Sequence, residues 1–290
     1  ALTALSADTP QLDASLPIAM FDSGVGGLTV LHECLVSLPE EDFVYLGDTA
    51  MFPYGTRDPD RLRERIGRIA ELLLDGGAKL LVIACNTATS IGEGVAREVA
   101  AERAVEVVPV VEPQAEIAAA ITDSGRVGVL ATPNTVESGA YRRSLEAQGR
   151  ALEVTEVEAP DLAPFIQDGS PFDEDTMAMA RAYCEPLKRA EVDTLILGCT
   201  HYPLVAPMLQ RILGRDVRLV SGGHAVAAAV QRSLERRGLA REPDGEGEYR
   251  FLCTGDADSF RKLGTRFLQM PLGKVEAVSL PDGDASTLSR

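Results

Sequence analysis

The apolar positions of this chain fall into short, mainly apolar runs separated by helical stripes. Ile18 to Phe21, Phe43 to Leu46, Leu80 to Ala84, Val107 to Val111, Arg126 to Leu130, Val154 to Val157, Thr194 to Leu197, Val217 to Val220 and Tyr249 to Cys253 are each four or five residues long. Such runs predict strands, and the apolar or β-branched run Thr194 to Leu197 predicts one covered on both faces, as in parallel sheets. Between them apolar residues recur at helical spacing: Leu28, Leu31, Leu35 and Leu38, then Leu62, Ile66, Ile69 and Leu73. Further helices are expected over 92–103, 114–121, 138–148, 173–190, 204–213 and 222–237, with 131–135 as a loop, 159–170 as loop or broken helix, an exposed loop over 236–248, and one more strand within 274–280. Alternating strands and helices predict an α/β protein with mainly parallel sheets, in which a second α/β set begins near Glu112.

Two runs share one grammar. Leu195-Ile196-Leu197-Gly198 delivers Cys199, Thr200 and His201; Leu80-Leu81-Val82-Ile83-Ala84 delivers Cys85, Asn86 and Thr87. The C-terminal ends of parallel strands are where open α/β sheets place ligands. A lone cysteine at such a place is usually a small core residue. Two in the same context, each followed by hydroxyl or amide residues, predict one reacting carbon between two thiols.

A thiol with a pKa near ~8.5 is a weak base at neutral pH unless a neighbour draws off its proton. Asp22, at the end of the first strand, and His201, beside Cys199, are the available helpers. One thiol removing a proton while the other returns one to the opposite face is racemisation or epimerisation. That chemistry requires no cofactor where preorganised donors stabilise the carbanion, and Ser23, Asn86, Thr87, Thr132 and Thr200 suit a carboxylate and an ammonium group. The turn Asp22-Ser23-Gly24-Val25-Gly26-Gly27 offers backbone N–H groups in front of a helix N-terminus, which favours an anion. Its spacing fits neither the dinucleotide fingerprint nor a P-loop. Cys34, Cys184 and Cys253 are assigned to the core, and His32 and His224 to structural positions.

Composition narrows the partners. The 290 residues carry a formal net charge of −16, which disfavours direct contact with nucleic acid or an anionic membrane, though not a small anionic substrate. Five scattered cysteines without a CxxC pair fit a reducing compartment and no zinc site. With neither a signal-peptide pattern nor a run of membrane-spanning length, a cytoplasmic protein is expected.

The ordered set Asp22 to Gly27, Gly47-Asp48-Thr49-Ala50, Pro53-Tyr54-Gly55, Ala84 to Thr89, Val111-Glu112-Pro113, Thr132 with Thr135, Gly198 to Pro203, and Thr254-Gly255-Asp256 resembles glutamate racemase, of the aspartate/glutamate racemase superfamily, from Pro17 to Leu268. The resemblance implies cofactor-independent interconversion of L- and D-glutamate, supplying D-glutamate for peptidoglycan. It implies two pseudo-symmetric flavodoxin-like lobes with mainly parallel sheets and the active site in the cleft between them. The expected division is a flexible arm over 1–16, a first lobe of 17–111 plus 219–270, a second lobe of 112–218, and a tail over 271–290. By the same resemblance Cys85 acts on D-glutamate with Asp22, and Cys199 on L-glutamate with His201. Ser23, Pro53, Tyr54, Gly55, Asn86, Thr87, Thr132 and Thr200 match substrate-holding positions. A homodimer and a cell-wall-precursor activator are implied partners, with no metal.

Two departures stand out. Ala163-Pro164-Phe165-Ile166-Gln167 ends in an amide where the family usually has glutamate, and Gln114 and Glu116 replace the usual glycine and a basic residue. The competing readings are a racemase for aspartate or another amino acid, and a regulatory protein on a racemase scaffold, some relatives of which restrain DNA gyrase. Retention of both Cys85 and Cys199 argues against the latter.

Overall fold

A computed structural model describes residues 12–168, 173–243 and 245–280. The expected arm over 1–11, the end of the 159–170 segment with 171–172, Asp244 of the expected loop and 281–290 of the tail lie outside the described residues. The order of elements is β1 (Ile18–Asp22), α1 (Leu28–Ser37), β2 (Phe43–Gly47), α2 (Pro59–Asp75), β3 (Leu80–Ile83), α3 (Asn86–Ala101), β4 (Glu106–Pro109) and α4 (Val111–Ile121). It continues with β5 (Arg126–Ala131), α5 (Pro133–Glu137), α6 (Ala140–Glu146), β6 (Glu153–Glu158), α7 (Leu162–Asp168), α8 (Glu174–Arg189), β7 (Thr194–Gly198) and α9 (Ala206–Leu213). The last elements are β8 (Arg218–Val220), α10 (Gly222–Arg237), β9 (Tyr249–Cys253), α11 (Ala257–Leu268) and β10 (Val275–Ala277).

The strands form two parallel sheets, ordered β10-β9-β2-β1-β3-β4 and β6-β5-β7-β8. Each contains the same pattern: its second, first, third and fourth strands lie side by side, the order of doubly wound flavodoxin-like sheets. In each, the crevice lies beyond the ends of the adjacent first and third strands, whose onward connections lead to opposite sides of the sheet: β1 and β3 in one sheet, β5 and β7 in the other. β1, β3 and β7 are buried along their whole length, which is why they read as continuous apolar runs. After β8 completes the second sheet, α10 packs on α1 and β9 pairs with β2, so the described elements after β8 return to the first sheet.

Several boundaries differ from the sequence expectation for local reasons. The β-branched run Val107 to Val111 splits: β4 stops at Pro109 and Val111 opens α4. Pro113 lies in the first turn of α4, where an N–H has no intrahelical partner anyway. α3 begins at Asn86, not Gly92, because the Cys85 thiol caps it by accepting from Ala88 N–H. The expected 131–135 loop contains the start of α5, with Pro133 at its first position. α6 starts later than expected, after Gly139 in the left-handed region. α11, capped by Asp256 and burying Phe260 and Phe267, was not anticipated.

Candidate active site

The facing ends of the two sheets enclose a cavity of about 290 Å³, counting its open mouth. β1 leads Ser23 into it, β3 leads Cys85 with Asn86 and Thr87, β5 leads Thr132, and β7 leads Cys199, Thr200 and His201. Pro53, Tyr54 and Gly55, around the 3-10 turn after β2, close the wall. The structure thus brings together every expected site residue at the cavity lining except Asp22, which lies directly behind it, fully buried. Phe52 and Ala163 also line the cavity and were not foreseen, since neither carries a chemical signal in sequence.

The lobes meet closely here. Thr132 Oγ1 lies 2.9 Å from Thr87 Oγ1 and 3.1 Å from Thr135 Oγ1. Asn134 Nδ2 donates across the cleft to the carbonyls of Tyr54 and Arg57, at 2.9 and 2.8 Å. A Cβ on Gly55 would come within 2.7 Å of Thr132 Cβ, so only glycine permits this approach.

The glycine turn after β1 differs in role from its sequence reading. Gly24 N–H donates to Asp22 Oδ2 at 3.0 Å, and the Gly27 backbone also bonds to this carboxylate. The anion served by the turn is therefore the chain's own Asp22. Gly26 packs where a Cβ would strike Thr200 Oγ1 and come within 2.5 Å of His201 Nδ1.

Asp22 connects to both thiols. It accepts a hydrogen bond from the Cys85 side chain, and its Oδ1 lies 3.3 Å from the Thr200 hydroxyl, which also hydrogen-bonds with Cys199. Burial raises its carboxyl above the ordinary range, against the pull of those hydrogen bonds. Burial, with the negative charge of Asp22 second, pushes the Cys85 thiol up to about 12. Cys199 is pushed up for the same main reason. Both thiols are therefore protonated at neutral pH, and each needs a local acceptor. A Cys85 thiolate would find N–H groups of Ala88 and Ser23, the Ser23 hydroxyl and the α3 N-terminus aimed at it.

On the other side Cys199 Sγ lies 3.8 Å from His201 Nδ1, and His201 Nε2 lies 3.0 Å from Gln167 Oε1. Burial lowers the imidazole to about 3, with the rings of Phe52 and Phe267 packed 5.3 and 5.1 Å from it. The neutral ring donates through Nε2–H to the amide oxygen, which leaves Nδ1 as a lone pair facing the Cys199 thiol. Gln167, the departure noted in the sequence, thus sets the tautomer that lets His201 accept the proton of Cys199.

The remaining cysteines and histidines stay outside the site. Cys34, Cys184 and Cys253 are buried free thiols away from the cavity lining; His32 bonds to the Leu268 carbonyl; His224 is exposed beside Glu33.

Comparison with known proteins gives concordant results. Residues 31–230 match the family described as Asp/Glu/hydantoin racemase. A glutamate racemase of Mycobacterium tuberculosis (strain ATCC 25177 / H37Ra) is 43% identical over 263 residues, covering 90% of this chain and 96% of that one. The crystal structure of glutamate racemase isoform RacE1 from Bacillus anthracis superposes with a TM-score of 0.87 at 32% identity, over 92% of this chain and 98% of that one. The Francisella tularensis glutamate racemase in complex with D-glutamate gives 0.85 at 31% identity, over 92% and 98%.

Proposed function

Because the chain belongs to the Asp/Glu/hydantoin racemase family, we propose that it interconverts L- and D-glutamate by cofactor-independent transfer between two thiols, supplying D-glutamate for peptidoglycan. The observation that carries this reading is the placement of Cys85 and Cys199 at equivalent strand ends of two like sheets, both opening on one cavity. Hydroxyls from both lobes and the Asn86 amide line that cavity and suit the carboxylates and ammonium of an amino acid.

In the L-to-D direction, Cys199 gives its proton to His201 Nδ1 and the thiolate takes the α-hydrogen of L-glutamate. Cys85 gives its proton to the opposite face of the carbanion and is left as a thiolate, held by the donors at the head of α3. The reverse direction starts with the Cys85 proton passing to Asp22. Exchange with solvent restores the starting protonation. Five unpaired thiols support a reducing, cytoplasmic setting. Among the described residues no helix is long and apolar enough to cross a membrane. A second copy of the chain and a cell-wall-precursor activator belong to the same proposal as partners of this enzyme.

Circular dichroism tests the reading. Solutions of pure L-glutamate and pure D-glutamate, each incubated with the protein and no added cofactor, are expected to decay to zero ellipticity. Faster decay of aspartate than of glutamate would overturn the substrate assignment, and no decay with any amino acid would overturn the activity.

The Gln167 amide yields a pH prediction. Replacing it by Glu puts a carboxylate on His201 Nε2–H, which favours the imidazolium and raises the imidazole from its buried value. His201 accepts the Cys199 proton only above its own pKa. The acid limb of kcat/KM in Gln167→Glu is therefore expected to move to higher pH. An unmoved limb in a pH–rate profile would mean that His201 does not take this proton.

A further inference from the structure

Behind the cavity wall lies a closed chain of side-chain hydrogen bonds that none of the steps above uses. Its centre is Gln114, on α4, fully buried. Gln114 Nε2 donates to two backbone carbonyls, Leu197 O at 3.2 Å and Val220 O at 3.3 Å, at the ends of β7 and β8. Gln114 Oε1 accepts from Asn86 Nδ2 at 2.9 Å and from the Tyr141 hydroxyl at 2.5 Å. Asn86 Nδ2 also donates to that hydroxyl, at 2.7 Å.

The direction of every bond in this chain is fixed from one end. Backbone carbonyls only accept, so the nitrogen of Gln114 must face β7 and β8 and its oxygen must face the other way. That oxygen also only accepts, so Asn86 must turn its nitrogen toward it, and the Tyr141 hydroxyl, giving its single proton to Gln114, must accept from Asn86. Both amide hydrogens of Asn86 are then used outside the cavity. Asn86 nevertheless lines the cavity, and the group it has left for a ligand is its carbonyl oxygen, an acceptor.

We propose that Gln114 is a positioning residue: it orients the Asn86 amide so that its oxygen receives the ammonium group of the amino-acid substrate, and it ties the head of α3, next to Cys85, to the end of β7, next to Cys199. This rests on the amino-acid racemase reading and adds the group that recognises the nitrogen. Without Gln114, the Tyr141 hydroxyl donates to Asn86 Oδ1 as readily as it accepts from Nδ2, and the amide loses its fixed direction. A wrongly turned amide presents N–H groups to an ammonium, which repels where it should attract.

The test compares two ligands that differ in the ammonium group. Gln114→Met keeps length and burial and removes all four hydrogen bonds. D-Glutamate binding, followed as KM and by calorimetry, is expected to weaken about tenfold, the scale of one lost hydrogen bond to a charged group. Glutarate, which has both carboxylates and no ammonium, is expected to bind the parent and the variant alike. Equal weakening of both ligands, or of neither, overturns the proposal, as does an effect on kcat alone. If Gln114→Met does not fold, Tyr141→Phe removes one of the two anchors of Asn86 Nδ2 and is expected to give the same selective loss at about threefold; a loss shared with glutarate again overturns it. A parent protein that racemises glutamate while the variants bind it normally refutes this inference and leaves the activity intact. A parent that neither binds nor racemises glutamate removes both.

Discussion

Replacing either Cys85 or Cys199 by alanine is expected to reduce racemisation by about 10²–10⁴-fold or more, in both directions at once. The reason is stoichiometric. Each inversion needs one group to take the α-hydrogen and another to deliver a proton to the opposite face, and the cavity offers one thiol on each side. The loss should not extend to every proton transfer. Cys85→Ala retains Cys199 with His201 and should still exchange the α-hydrogen of L-glutamate for deuterium without inverting it. Cys199→Ala retains Cys85 with Asp22 and should do the same with D-glutamate. Proton NMR in deuterated water separates exchange from inversion. Racemisation near the parent rate in either variant would sink the two-thiol scheme. Exchange by the opposite enantiomer in each case would reverse the assignment of the thiols.

The second large effect is on stability. Fully buried Asp48, at the end of β2, accepts from Arg65 Nε at 2.9 Å and Nη2 at 2.7 Å, from the Tyr54 hydroxyl at 2.6 Å and from the Thr254 hydroxyl at 2.6 Å. It joins the cavity turn, α2 and the segment after β9 through one carboxylate. Asp48→Ala takes away the acceptor of all four bonds inside the protein. The expected cost is about 3–5 kcal/mol in urea unfolding, as for other buried pairs from which one partner is removed. Adding Arg65→Met should recover part of that loss, because removing both members of a buried pair costs less than removing one. A change below about 1 kcal/mol for Asp48→Ala, or strict additivity in the double variant, would show that the pair is not a stabilising unit.

How much of this was legible in the sequence depended on whether the cause was local. The central strands β1, β3 and β7 were, because burial along their whole length writes an unbroken apolar run. The thiol pair was, because two strands ended in the same short pattern. The start of α3 was not: Asn86, Thr87 and Thr89 are poor helix formers, and the thiol that caps them is not among the usual capping residues. Arg65 was hidden for another reason. It stands in an amphipathic helix among Arg and Glu residues that face solvent, and only the fold puts Asp48 beside it. Asp48 itself appeared in the sequence only within the Gly47-Asp48-Thr49-Ala50 stretch of the resemblance, without its partner. Gln114 and Gln167 were visible only as departures. Their effect requires Leu197, Val220 and His201 in space, from segments far apart in the chain.

The two helpers are chemically unlike although they serve equivalent strand ends: a carboxylate for Cys85 and a neutral imidazole for Cys199. That asymmetry has a strict limit. Enantiomers have equal free energy in water, so the equilibrium constant of the reaction is one, and kcat/KM must be the same from either side at every pH. Asp22 and His201 can therefore differ only in how they divide that common ratio, one direction turning over faster and binding more weakly in the same proportion. A substitution on one side alone, Gln167→Glu included, must move kcat/KM for L- and D-glutamate together, and any imbalance it creates can appear only in kcat and KM taken separately.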